Sequence, residues 1–539
     1  MDPVMKPQNE DSYSDDERKV LRKHVTDIDG KVYCVKNLPE EVVAVLFAYV
    51  SRSPLSFRRN LLTLLGEGEI VVGDVFDVYG EDTASYAAAK EKAQKFHEKW
   101  VVGYGHSSVA EHADLKFAIE DISILGTKIL EDNRLARYTE KSTRYVKFDK
   151  QHYHKPARIM QNPALAKKYV AACDALFDIY DELYPKAAEF VRKEWPKPAD
   201  MKDRPYEGSV HAKACDIVRY ILPASTYTMV GCSMNARVAE HAMTKLLSHP
   251  LEEGRALGES MLREGRKICP TLLKHAAHSS YHASTHDEVA KLAGELLDDV
   301  KDVQGSDERP VVIVRGDDDA DAVIVAAILY EESALPFSNI LEKARKMTLD
   351  EQKKVLEAYV VKKGKFEWPQ RALEHVKVTT DILMDYGAFR DLQRHRMNTQ
   401  TNQRVTIAHG YEVPEEIDKA GLRARYDEAM RIAADAYAAI SAAYPWEAQY
   451  VVPLAYRKRT LFTWNLRNLE HVIRLRSSAQ GHISYRRIAQ QLYDAVAAKY
   501  PLLAFLLTVD KNEYYLGRLK SELAAEEKRA KLAKQAENS

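Results

Sequence analysis

The chain has little cysteine: five residues in 539, at Cys34, Cys173, Cys215, Cys232 and Cys269. They form no CxxC pair, and an odd number of scattered thiols suits a reduced protein better than a disulfide framework, so redox-active cysteine chemistry is not expected. Neither charge is in surplus, with 79 Lys+Arg against 80 Asp+Glu. Nothing global therefore draws the chain to nucleic acid or to a membrane surface, and any anion site has to be built locally from arginines. Long apolar runs are missing too, since charge interrupts each one well before a membrane span. Residues 1–20 are polar and acidic, unlike a signal peptide, which points to the cytoplasm. With almost nothing to bury, that stretch is expected to be a disordered tail.

What the chain does have is one layout written twice. In the first copy Gly105-His106-Ser107-Ser108 leads to Glu111-His112, a helical run over 115–130 and the segment Glu140-Lys141-Ser142-Thr143-Arg144-Tyr145. Arg219-Tyr220-Ile221-Leu222-Pro223 and Asn235-Ala236-Arg237 come later. In the second copy Glu374-His375 opens a helical run over 376–392 that ends in Arg394-His395-Arg396. Gln449-Tyr450-Val451-Val452-Pro453 and Asn465-Leu466-Arg467 follow. Proline to asparagine is 12 residues in both, whereas the Glu-His pairs lie 263 apart and the prolines 230, so the second copy is 33 residues shorter inside. A repeat this long is a duplicated domain and not a solenoid, and the length has room for two to four domains.

Each copy opens strand, turn, helix: 310–314 with a helix over 320–330, and 31–36 with a helix over 40–50. Amphipathic patterns over 169–183, 252–267, 422–443 and 483–500 make most of the rest helical. The expected fold class is α+β, two fused helix-rich domains each with a small central β-sheet, over 31–300 and 309–508. The polar stretch 298–308, with Gly305 inside it, is the natural linker. Residues 510–539 read as a charged helical tail, solvated from Arg518 to Lys534.

Several segments carry chemistry-bearing side chains. Arg394, His395 and Arg396 emerge where a helix with apolar side Ile382, Tyr386 and Phe389 gives way to a polar stretch, and guanidinium forks match phosphate oxygens. A basic last turn complementing the helix dipole is the plain alternative. Glu140, Ser142 and Arg144 offer an acceptor, a hydroxyl and a cation within one turn, either for a hydroxylated anionic ligand or as a capping segment. Asn465 opens a helix on which Arg467 and His471 share a face, with Arg476 further along and Leu466, Leu469, Val472 and Leu475 opposite. His106 and His112 flank Glu111 at a spacing that a helix does not place on one face. His275, His278, His282 and His286 would align on one helix, a possible metal site, although the neighbouring serines and Thr285 weaken that helix.

Together these segments resemble the flavin-dependent thymidylate synthases, the ThyX family, over about 31–280 and again over about 309–508. The family signature RHRxxSxNExSxRY is split between the copies. The first reads Asp132-Asn133-Arg134 through Glu140, Ser142, Arg144 and Tyr145, losing the leading Arg-His; the second keeps Arg394-His395-Arg396 but has Asn402, Arg404 and Thr406 afterwards. The Leu-Pro block repeats the pattern, with Asp216 and Arg219 in the first copy against Trp446 and Gln449 in the second. The helix arginine that the family turns to the pyrimidine is Arg476, opposite Leu246 in the first copy. In the family one subunit supplies the RHR and late-helix arginines and its partner the Glu-x-Ser-x-Arg segment and the Leu-Pro arginine. The losses here fall along that division.

The resemblance implies one complete composite site per chain, and a homodimer that rebuilds the family's tetramer from four domains. It implies reductive methylation of dUMP at C5 with methylenetetrahydrofolate and NADPH as co-substrates and FAD as the hydride carrier, an FAD-dependent methyltransferase. Glu140, Ser142, Arg144, Arg219, Arg394 and Arg476 would hold the nucleotide, Arg476 in the catalytic position at the pyrimidine. His106, Ser108, Arg394, His395 and Arg396 would contact FAD, joined by Asn235 and Arg237 or by Asn465, Arg467 and His471. The family glutamine three residues before RHR is Asp391 here, which leaves open a flavin-dependent reaction on another pyrimidine nucleotide. A non-catalytic nucleotide-binding protein is the alternative from a different class.

Overall fold

A computed structural model describes residues 13–49, 55–66, 108–150, 152–199, 201–300, 310–364 and 367–519, with residues 523, 524, 527, 528 and 531 of the C-terminal segment. His106, Ser107 and Gly305 lie outside these. The chain divides into two compact units, residues 1–119, 135–139 and 230–298 in one and 120–134, 140–229 and 299–539 in the other.

In the first unit the helices Asp15–His24, Glu40–Tyr49 and Phe57–Gly66 gather around Leu21, Val25, Val42, Val45, Leu46 and Leu61. Residues 15–20, expected in a disordered tail, are therefore helical: Ser14 and Glu17 close a capping box over three acidic residues in the first turn. The expected strand at 31–36 does not form. Val35 makes a single bridge to Val25 and Val32 stays exposed, because the segment folds back on the preceding helix end through Thr26 and Lys36. Helices Ala236–Leu247, Glu252–Ile268 and Ser280–Leu296 also belong to this unit. Ser279 caps the last of these, so His275 and His278 precede a helix that carries His282 and His286. Among the described residues no His, Cys, Asp or Glu group has the arrangement of a metal site.

Among the described residues there are two small sheets. β1 (Asp114–Ser123), β2 (Arg137–Glu140) and β3 (Tyr227–Asn235) run in the order β1-β3-β2. β4 (Val311–Gly316), β5 (Lys377–Asp385), β6 (Thr399–Asn402) and β7 (Arg457–Asn465) run β4-β5-β7-β6, all antiparallel, with Lys377 opposite Asn465 and Asp385 opposite Arg457. The runs expected to be helical over 115–130 and 376–392 are thus strand first, with only Ile124–Leu130 and Tyr386–Leu392 helical. The physical reason is periodicity: Val378, Thr380, Ile382 and Met384 are buried with more exposed residues between them, the two-residue repeat of a strand. Ser123 and Asp385 then cap their helices through the amides of Gly126 at 2.8 Å and Ala388 at 2.7 Å.

The duplication is written into the hydrogen bonds of the second unit. Pro223 and Pro453 bridge each other, and around them Ala224 donates to Val452 and Leu454 to Leu222, Ser225 to Tyr450 and Ala455 to Tyr220. Each bond has its counterpart 230 residues along, the pattern of a local two-fold axis through the proline pair. The length difference also has a place. β1 has ten residues to the nine of β5, with Asp121 at φ 50°, and where the first copy has the two helices Pro163–Glu194 and Asp203–Val218 the second has a single helix, Arg423–Ser441.

Candidate functional site

A cleft of about 350 Å³ opens in the second unit between segments of both copies. Its lining includes Glu140, Ser142, Arg144 and Arg219 from the first, and Arg390, Asp391, Arg394, Arg476 and Tyr485 from the second. Counting Lys141, six cations face two carboxylates, so the wall is strongly cationic in a protein with no net surplus.

Most of these cations are fixed by partners. Arg390 donates to Glu140 at 2.7 Å and to Thr143 at 3.1 Å, and Lys128 reaches the other oxygen of Glu140 at 3.0 Å. Burial alone would raise the Glu140 pKa, but Arg390, Lys128 and Arg394 outweigh it and hold the carboxyl at about 2. Arg144 lies in a fork on Asp216, at 2.9 and 3.1 Å, and donates to the Tyr485 hydroxyl at 2.5 Å and the Gln480 carbonyl at 3.2 Å. Ser142 accepts from the Arg144 amide at 3.2 Å. Arg476 donates to Asp391 at 3.2 Å, to its carbonyl at 2.8 Å and to His395 Nε2 at 2.7 Å, while Arg394 bonds the same Asp391 oxygen. The His395 ring is therefore a neutral acceptor; burial and the Arg476 cation push its pKa well below the usual value. Tyr485 stands between Arg144 and Arg476, whose guanidinium carbons lie 5.4 and 5.3 Å from its ring centre.

Arg219 leaves more buried nitrogens unpartnered than any other arginine lining the cleft. It is 2 % exposed, and its Nε and Nη2 have no hydrogen-bond partner. The space it occupies exists because residue 387 is glycine: a Cβ there would sit 3.0 Å from Arg219 Nη2 and 3.0 Å from Asp385 Oδ1. A buried guanidinium with unused donors costs stability, which is the mark of a group kept for a ligand.

The nucleotide-contact residues expected from the sequence, Glu140, Ser142, Arg144, Arg219, Arg394 and Arg476, all line this cleft. Of the expected flavin contacts only Arg394 does, among the described residues. Asn235 and Asn465 cap helices, Arg237 and Arg467 pair with Glu111 at 2.5 Å and Glu374 at 2.6 Å, and Arg396 donates to the Arg134 carbonyl. His471 stacks on Trp368, and Ser108 is an exposed residue before a short turn of helix. Leu475, expected on the buried side of its helix, is 45 % exposed at the cleft. Arg390 and Tyr485 are absent from the sequence-based set; Arg390 lies on the helix Tyr386–Leu392, four residues before Arg394, a signal that was there to read.

The equivalent corner in the other half is filled. Gly387 corresponds to Leu125, and Arg219 to Gln449, whose amide is spent on the Trp446 carbonyl at 3.0 Å and the Val405 amide at 3.1 Å. Arg404, the counterpart of Ser142, lies 5.1 Å over the Trp446 ring. On β7, Lys458 takes the place of Thr228, buried with its ammonium 3.8 Å from the Phe389 ring centre. Burial pushes its pKa down to about 7, with Asp132 opposing. The cost of burying the charged form is complete below pH 7 and is relieved as pH rises towards the unfolded value. Lys458→Met is therefore expected to stabilise the protein at pH 6 by on the order of 2 kcal/mol, after allowing for the attraction of the Phe389 ring, and to converge with wild type near pH 10. Urea unfolding across that range checks it; a constant difference would sink the titration.

The family model described as "Thymidylate synthase complementing protein" matches this chain twice, over residues 73–271 and 311–502. The chain is 35% identical over 530 residues to a UPF0159 protein of Chlamydia muridarum (strain MoPn / Nigg), covering 95% of this chain and 98% of that protein. It is 28% identical over 192 residues to a flavin-dependent thymidylate synthase of Clostridium tetani, 35% of this chain and 73% of that one. A crystal structure of the flavin-dependent thymidylate synthase ThyX from Helicobacter pylori, complexed with FAD and dUMP, is similar with a TM-score of 0.27 at 17% identity, covering 37% of this chain and 100% of that chain.

Proposed function

We propose that this chain, which belongs to the thymidylate synthase complementing protein family, is a flavin-dependent thymidylate synthase with one composite cleft per chain. It would methylate dUMP reductively at C5, with methylenetetrahydrofolate and NADPH as co-substrates, and act as a homodimer. The observation that carries this reading is Arg219, buried at the cleft with two donors unused amid five other cations. Such a wall suits a nucleoside monophosphate.

In this reading Arg219 and Arg144 anchor the phosphate, with Arg394 beside them and Ser142 adding a hydrogen bond. Glu140 has a supporting part, holding Arg390 in place. Arg476, oriented by Asp391 and His395, meets the pyrimidine edge, where its cation favours the ionised ring and raises electron density at C5. The rim fits a flavin to a limited extent: Leu475 offers an apolar edge beside Arg394, whose side chain is 34% exposed. When bound, FAD supplies the hydride chemistry that no side chain here can.

The test is the absorbance spectrum of protein equilibrated with FAD, together with melting temperatures in the presence of pyrimidine nucleotides. One flavin per chain is expected, with dUMP raising the melting temperature more than other pyrimidine nucleotides; at 100 times its Kd a ligand adds about 2.7 kcal/mol. Two flavins per chain would sink the single-cleft reading, and none would leave a nucleotide-binding protein without catalysis. A second reading, a flavin-dependent reaction on a different pyrimidine nucleotide, is favoured by Asp391, whose carboxylate occupies both Arg394 and Arg476. Stronger protection by that nucleotide than by dUMP would select it.

A further inference from the structure

Residues 510–519, expected to begin a charged helical tail, run instead as a strap, non-helical up to Arg518 and exposed at 511–515 but held down by hydrogen bonds. The Ser477 hydroxyl accepts from the Asp510 amide at 2.9 Å, Gln490 donates to the Asp510 carbonyl at 2.9 Å and Arg486 to the Asn512 carbonyl at 2.6 Å. Tyr515 stacks on Trp195 at 5.3 Å. At Gly517 the strap presses against the turn that borders the cleft, so closely that a Cβ there would overlap the Ala479 carbonyl oxygen. The next residue, Gln480, supplies the carbonyl that Arg144 holds.

The strap ends in Arg518, which the alternating charges of the sequence place in solvent. Its side chain is instead 8% exposed. One nitrogen donates to both oxygens of Asp216, at 3.1 and 2.9 Å, and another to the Arg144 carbonyl at 2.9 Å. Its guanidinium carbon lies 4.3 Å over the Tyr145 ring. Asp216 is thus shared by two arginines. With Arg144 alone it would make a neutral pair, and with Arg518 added the group keeps one net positive charge beside the cleft.

We propose that Arg518 is a positioning residue of the nucleotide cleft, which shares Asp216 with Arg144 and so keeps Arg144 both aimed and net cationic towards an anionic substrate. This rests on the nucleotide reading above. The physical content is that Arg518 touches no ligand itself: it fixes the backbone of Arg144 through the carbonyl and divides the charge of the carboxylate that would otherwise neutralise it.

The experiment measures dUMP affinity by calorimetry and unliganded melting temperature on the full-length wild type, Arg518→Ala, Arg518→Lys and Tyr515→Ala. Arg518→Ala is expected to weaken dUMP about tenfold, the order of one charge-assisted contact, and Arg518→Lys to recover most of it. Tyr515→Ala, which loosens the strap without touching Asp216, should lower the melting temperature and leave affinity within about twofold. The role is overturned if Arg518→Ala binds dUMP as wild type does. It is equally overturned if affinity falls in step with melting temperature in Arg518→Ala and Tyr515→Ala alike, with no rescue by lysine. A wild type that binds no pyrimidine nucleotide would instead sink the nucleotide reading itself, and this role with it.

Discussion

Arg219→Met is expected to make the unliganded protein more stable and to remove its nucleotide. Both effects have one cause. The Arg219 guanidinium is buried with Nε and Nη2 unpaired, so folding strips those donors of water and returns nothing. An unbranched apolar side chain fills the same space without that cost, and a gain of about 1–3 kcal/mol is expected. A carboxyl beside it is Asp385, which bonds the Ala388 amide and the Ser484 hydroxyl and not Arg219. Burial raises its pKa to about 6 against the lowering pull of Arg219. A buried acid with a raised folded-state pKa destabilises the protein once pH climbs past its unfolded value, and removing Arg219 makes that penalty larger. The gain in Arg219→Met is therefore expected to be greater at pH 5 than at pH 8. Phosphate affinity should fall by about 2–4 kcal/mol, roughly thirtyfold to a thousandfold, because the substitution abolishes a desolvated charge pair between guanidinium and phosphate. Unfolding curves at the two pH values and dUMP calorimetry check the pair of effects. A destabilised variant that still binds would mean that Arg219 is structural.

The halves of this cleft are legible as sequence because chemistry sits in short blocks whose order survives. Glu140 to Arg144, Arg219, Arg394 and Arg476 can be named from those blocks, and all of them line the cleft. What the blocks do not carry is the environment. The charge pattern around Arg518 describes a solvated helix, and groups far earlier in the chain override it, the Asp216 carboxylate 302 residues before it and the Arg144 carbonyl. Gly387 reads as an ordinary helix residue until Arg219 is placed against it. The runs 115–130 and 376–392 each resemble a single helix because a two-residue apolar repeat followed at once by a buried helical turn imitates a longer helical stripe. Strand 31–36 fails for the opposite reason, a correct local pattern outcompeted by pairing with the neighbouring helix end.

Asp391→Asn is expected to act in the opposite sense from Arg219→Met. In wild type the Asp391 carboxylate is buried and accepts from Arg394 and Arg476. Burial alone would raise its pKa, but Arg394 and Arg476 outweigh that and hold it far below the usual carboxylate range. An amide keeps the shape and removes the charge, leaving both guanidiniums short of a counter-ion, and breaking a buried pair in this way costs about 3 kcal/mol or more. Because the folded-state pKa is depressed, the contribution of Asp391 is complete above the unfolded value near 4 and fades only as pH falls below it. The gap between variant and wild type should then be flat from pH 5 to 8 and close on acidification. An anion in the cleft can replace the missing carboxylate, so inorganic phosphate or dUMP should raise the melting temperature of Asp391→Asn by more than it raises that of wild type. The two substitutions thus bracket the same electrostatic balance, one removing a cation that lacks an anion and the other an anion that serves two cations. If phosphate stabilises Asp391→Asn no more than wild type, the arginines released from Asp391 do not face the ligand, and the assignment of Arg394 and Arg476 to the nucleotide fails with it.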